Sequence, residues 1–188
     1  GLSQGLRLIL HPPTVLDDRV LQGATDADAA GVSIYGSVLR DGGRFRMWHQ
    51  AWPRDWSGSD AVTVACVESD DGLEWHRPAY GLIDCGGTAR NHLTDLPFHC
   101  PSVFIDPDAG DDARFRAFGF TGPKRLDGRF SHPLERDGYY TAHSADGIHW
   151  TLDSAAPLWL SADVITSVWD PWSACARVAL KHNGLAAG

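Results

Sequence analysis

The 188-residue sequence predicts an all-β fold built from a repeated four-stranded antiparallel unit. Three observations predict it. The pattern Ser-x-Asp-Gly-x-x-Trp occurs twice, starting at Ser69 and again 75 residues later at Ser144. Each copy follows a strand-like run, residues 61–68 in the first case and 139–143 in the second. No amphipathic helix longer than two turns is legible, since the nearest candidate, residues 16–22, is too short.

The elements follow in order. Residues 32–39 are rich in β-formers and lead into Arg40-Asp41-Gly42-Gly43, a hairpin turn. Residues 44–51 are the return strand, with Phe45, Met47 and His49 alternating against Arg46, Trp48 and Gln50. In residues 61–68, Val62, Val64 and Cys66 alternate with Thr63, Ala65 and Val67, which suits a strand buried on both faces. The second unit starts at 102–105, turns over 106–112, returns over 114–120 and continues at 139–143. A short fourth strand is expected at 82–85 and again at 158–161. A third unit opens at 164–169, turns at Asp170-Pro171 and returns over 177–181. Asp-Gly and Asp-Pro between such runs are turn chemistry. Within the repeated motif, Ser and Asp side chains bond nearby backbone N–H groups and Gly takes a positive φ. The motif, whose first copy includes Asp70 and Asp71, is therefore structural, and its Trp packs back between units.

A self-similar four-stranded unit is the signature of a propeller blade, and one blade cannot cover its own faces. The expected architecture is a β-propeller of four-stranded antiparallel blades, with about two to three blades in this chain. Residues 1–31 form a lead-in, 32–98 and 99–162 the first two blades, 163–181 the start of a third, and 182–188 a tail.

Composition removes several classes. The formal charge is −8 and no Lys/Arg run is dense enough to track a phosphate backbone, so nucleic acid is not an expected partner. No run of about 18 apolar residues marks a membrane span. The eight Trp point to aromatic packing or a stacking surface, and the twenty Gly to many tight turns. Cys66, Cys85, Cys100 and Cys175 show no CxxC spacing and read as free thiols, which favours a cytoplasmic over a secreted setting, although a chain opening on Gly1 leaves the compartment open. Cys85, His92, His99 and Cys100 fall close in sequence, and zinc accepts mixed Cys/His ligands. Their spacing matches no finger pattern, so no metal is assigned. No phosphate loop precedes a helix and no Gly-x-Ser-x-Gly occurs, so nucleotide binding and serine hydrolysis lack support, and no cofactor is implied.

Residues 35–49, 65–78, 101–107 and 140–150 resemble the five-bladed propeller superfamily of glycoside hydrolases, which includes arabinanases, β-xylosidases, β-fructosidases and mannoside phosphorylases. Bacterial glycosyl hydrolase-related proteins are the nearest in pattern, and the resemblance runs over most of 32–181. It implies cleavage of a glycosidic bond by paired carboxylates, with carbohydrate as substrate or ligand. It also implies a pocket on the axis, just before Val32, Ser102 and Val164. The first approach offers Asp26 and Asp28, the second Asn91, His92, Asp95 and His99, the third Asp163. Asp163 and Asp28 are the catalytic candidates. His99 and Asn91 are candidates to bond sugar hydroxyls, and Trp52 and Trp56, in a Pro/Gly/Ser-rich loop, to stack on sugar rings. Trp48 is assigned to packing. Glu68, Glu74 and Glu135 fit no general acid, so the pair stays incomplete, and a non-catalytic carbohydrate-binding or interaction propeller is the second reading. Five blades need roughly 350 residues or more. The chain is therefore expected to be a fragment whose open blade faces favour self-association.

Overall fold

The computed structural model describes residues 9–15, 19–56, 63–123, 130 and 133–182. The all-β expectation holds: these residues form nine strands and a single 3-10 turn, Asp111–Ala113. The first sheet has the order β1 (Gly31–Asp41), β2 (Arg44–Trp52), β3 (Val64–Ser69). The second runs β4 (His99–Ile105), β5 (Phe115–Thr121), β6 (Gly138–Ser144), β7 (Thr151–Leu152), and the third is the hairpin of β8 (Ile165–Asp170) and β9 (Cys175–Leu180). All pairings are antiparallel. The β1–β2 turn works because Gly42 and Gly43 both take positive φ, 58° and 91°, as a tight twisted hairpin demands. The short helix candidate at 16–22 lies partly outside the described residues, and 19–22 are not helical.

The propeller expectation is corrected. The three sheets hold three, four and two strands, stay separate, and neither close nor curl into blades. The first unit lacks its expected fourth strand: residues 82–85 make only the single bridge Cys85↔Thr88. Gly81, Gly86 and Gly87, all at positive φ, fold this stretch back on itself before it can extend. In the second unit β7 is the fourth strand, and 158–161 contribute only the bridge Tyr139↔Trp159.

The repeated turns are structural, as expected. In the first, Ser69 Oγ accepts from the N–H of Gly72 at 2.8 Å, and Asp71 Oδ1 accepts from Leu73 and Glu74 at 2.7 and 2.9 Å. Trp75 Nε1 donates to Gly72 O at 3.1 Å. The second repeats this through Ser144, Asp146, Gly147 and Trp150. The working carboxylate of the first turn is Asp71. Asp70, beside it in the turn, is exposed and pairs with Arg44 at 3.0 Å.

The main core lies between the first two sheets, where Trp48, Val64, Cys66, Leu96, Phe98 and Phe115 are buried together. Trp48 is fully buried, packs on Phe115 at 5.6 Å, and donates Nε1 to Gly147 O at 2.6 Å. The second Asp turn is thus seated on the first sheet, which Arg46 reinforces by donating to Asp146 O. Sheets two and three meet through Ser102 and Ser167, whose hydroxyls lie 3.0 Å apart while the Ser167 N–H donates to Ser102 Oγ at 2.7 Å.

Candidate metal site

β4 begins irregularly. Its register against β5 slips between His99 and Ser102, and Cys100 takes φ = 52°. On a regular strand the side chains of neighbours point to opposite faces. A bulge re-aims them, and here it brings His99 and Cys100 to one place. The amide freed by the slip is not wasted, because the Cys100 N–H donates to Gln50 Oε1 at 3.0 Å. Gln50 is itself buried and fixed, donating Nε2 to Thr63 O at 2.8 Å.

The third member is Asp163, on the approach to β8, at φ = 91°. One ligand atom each from His99, Cys100 and Asp163 all lie within 4.8 Å of one another. Cys100 is buried, while His99 and Asp163 are partly exposed, so the cluster is reachable from solvent. Burial, helped by the charge of Asp163, pushes the Cys100 thiol up to about 12. Asp163 Oδ2 sits 2.5 Å from Lys181 Nζ. Among the described residues three non-glycines take positive φ, and two of them are Cys100 and Asp163. Each such residue costs about 1–2 kcal/mol, strain of the kind that collects at functional positions.

The other candidates go elsewhere. Asp28 is fully buried. Its Oδ1 accepts from Ala24 N–H, Thr25 N–H and Thr25 Oγ1 at 3.0, 2.7 and 2.8 Å, and its Oδ2 from Arg77 Nε at 3.0 Å. Burial alone would raise its pKa, but His92 and the Ala24 and Thr25 donors hold it well below the carboxylate range. His92 Nε2 is 3.4 Å from Oδ2. Asp26 pairs with Arg54 at 2.6 Å. Asn91 spends its amide on backbone, donating to Ile83 O and Thr88 O and accepting from Leu93 N–H. Asp95 accepts from Trp150 N–H at 2.6 Å, and burial raises its pKa. Trp52 and Trp56 pack on each other, ring centres 5.6 Å apart. An apolar cleft of about 510 Å³ on the first sheet, between Val32, Val38, Met47 and Trp75, touches none of Asp28, His99, Cys100 or Asp163.

Among the described residues no pair of carboxylates is placed for glycosidic cleavage: Asp28 is buried against Arg77 and the Thr25 turn, and Asp163 is grouped with His99, Cys100 and Lys181 and not with a second carboxylate. No family model, curated protein or solved structure matches the chain. The resemblance to propeller glycoside hydrolases is overturned on both counts, and with it the hydrolase and the carbohydrate-propeller readings. The reason is that the resembling segments are hairpins and Asp turns, local devices that several β architectures share. Among the described residues no helix is long and apolar enough to cross a membrane.

Sequence reasoning grouped His99 and Cys100 with Cys85 and His92. The fold separates them: Cys85 donates to Asp26 O at 3.5 Å and His92 lies against Asp28. It missed Asp163 as their partner, because 63 residues separate it from Cys100.

Proposed function

We propose that this chain binds a divalent transition metal of the zinc type through His99, Cys100 and Asp163, and that the ion clips the third sheet to the second. The observation that carries this reading is the convergence of nitrogen, sulfur and oxygen donors from two distant segments within 4.8 Å. Zinc accepts that mixed set, and three protein ligands leave a fourth tetrahedral position for water. Cys100 thiolate and Asp163 carboxylate together balance a divalent charge. A clip has a purpose here, since a two-stranded hairpin such as β8–β9 is marginal by itself. His99 and Cys100 belong to β4 and Asp163 leads into β8, so one ion spans the joint.

The test is calorimetric titration of the metal-free chain with Zn²⁺, beside Co²⁺ as an optical probe. A single site with a thiolate-to-Co²⁺ charge-transfer band is expected, absent in Cys100→Ser and weakened binding in Asp163→Asn. Zinc at a hundredfold over its Kd should add about 2.7 kcal/mol of stability. A wild-type chain that shows neither a single zinc site nor the thiolate band overturns the reading.

A further inference from the structure

We infer that Lys181 is a built-in competitor for the cation at this site, occupying Asp163 until the metal displaces it; the inference rests on the metal reading above. Lys181 Nζ lies 2.5 Å from Asp163 Oδ2, so the ammonium stands against the one carboxylate the cluster offers. The Lys181 backbone is fixed. Its N–H donates to Val164 O at 3.1 Å, and its carbonyl accepts from Ser161 Oγ at 2.8 Å and Tyr139 OH at 3.1 Å. The side chain is different: it is 56% exposed, so the ammonium leaves into water without disturbing packing. A metal ion on Asp163 and an ammonium on the same carboxylate repel each other at close range. Metal entry therefore ejects Lys181, and the ion pair that is lost lowers the apparent affinity.

A partly exposed pair of this kind is weak, which sets the size of the effect at about two- to fivefold in Kd. Salt screens the pair, so the handicap shrinks as ionic strength rises. Lys181 thereby tunes the clip: it keeps Asp163 neutralised when metal is scarce and yields when metal is supplied.

The experiment compares zinc titrations of wild type, Lys181→Met and Lys181→Gln with Arg177→Met. Arg177 lies on β9 and pairs with Asp170, away from Asp163, so it controls for the loss of one positive charge. Both Lys181 variants are expected to bind zinc about two- to fivefold tighter at low salt, with the gain fading at high salt and no gain in Arg177→Met. In wild type, acylation of Lys181 followed by mass spectrometry should speed up on adding zinc, a readout that a purely structural lysine would not move. If wild type binds zinc but the Lys181 variants match it, or Arg177→Met gains equally, the competitor role is overturned while the site stands. If no chain binds zinc, both fall.

Discussion

His49 and Asp28 show how much a single side chain owes to its surroundings. His49 is buried on β2 with Nδ1 3.2 Å from Gln50 O. Burial holds its pKa at about 4, against an ordinary value near 6.5. A folded-state pKa below the unfolded one contributes stability above the unfolded value and loses it as pH falls toward the folded one. Stability should therefore decline between about pH 6.5 and 4, and His49→Gln should remove that part of the decline in urea midpoints measured across this range. Asp28 acts lower on the scale. Its depressed pKa stabilises the fold above about pH 3.9 and ceases to as pH falls through the folded value. Asp28→Asn leaves Arg77 facing an amide in a buried pocket, a loss of about 3 kcal/mol at pH 7, measurable by urea denaturation. The sequence marked Asp28 as chemically notable, but not that its partner would be Arg77, because the two lie 49 positions apart.

The two Asp turns are nearly superimposable in their hydrogen bonds, and the difference between them lies in what they touch. Gly72 and Gly147 take φ of 80° and 75°, a region that costs an L-residue about 1–2 kcal/mol. A Cβ on Gly72 would meet nothing nearer than the Phe45 ring at 3.8 Å, whereas one on Gly147 would come within 2.6 Å of Trp48. Gly72→Ala should therefore cost about 1 kcal/mol. Gly147→Ala adds overpacking against a buried Trp and should cost about 1–3 kcal/mol more. Equal thermal shifts for the two would show that the second turn is not wedged against Trp48. These turns and the strands beside them were legible because Asp, Ser and Gly act within three residues of themselves. The fourth strand expected at 82–85 was not, since three left-handed glycines around it decide the path and an apolar run alone does not show them.

Among the described residues the sheets are held by buried apolar clusters, one between the first and second and one between the second and third, and by a few polar joints. Ser102 and Ser167 form one, coupling β4 to β8. A double-mutant cycle with Ser102→Ala and Ser167→Ala should give a coupling of about 0.5–1 kcal/mol, since the two hydroxyls satisfy each other and neighbouring backbone. Additive losses would mean that the third sheet is held by other contacts. On the proposed metal reading the ion would cross the same joint, so zinc should raise the thermal midpoint of wild type and leave that of Cys100→Ser unmoved.

By itself the sequence determined the β character of the chain, the hairpins at Gly42-Gly43 and Asp170-Pro171, and both Asp turns. Those features follow from period-two patterning and turn chemistry, which operate over a few residues. Only the tertiary structure decided that three sheets stay separate, that Asp28 pairs with Arg77, and that His99, Cys100 and Asp163 meet. Sheet packing is settled by the sum of many distant side-chain contacts. The meeting itself depends on a slipped register at the start of β4, where a buried Gln50 takes the freed amide and turns two adjacent side chains the same way.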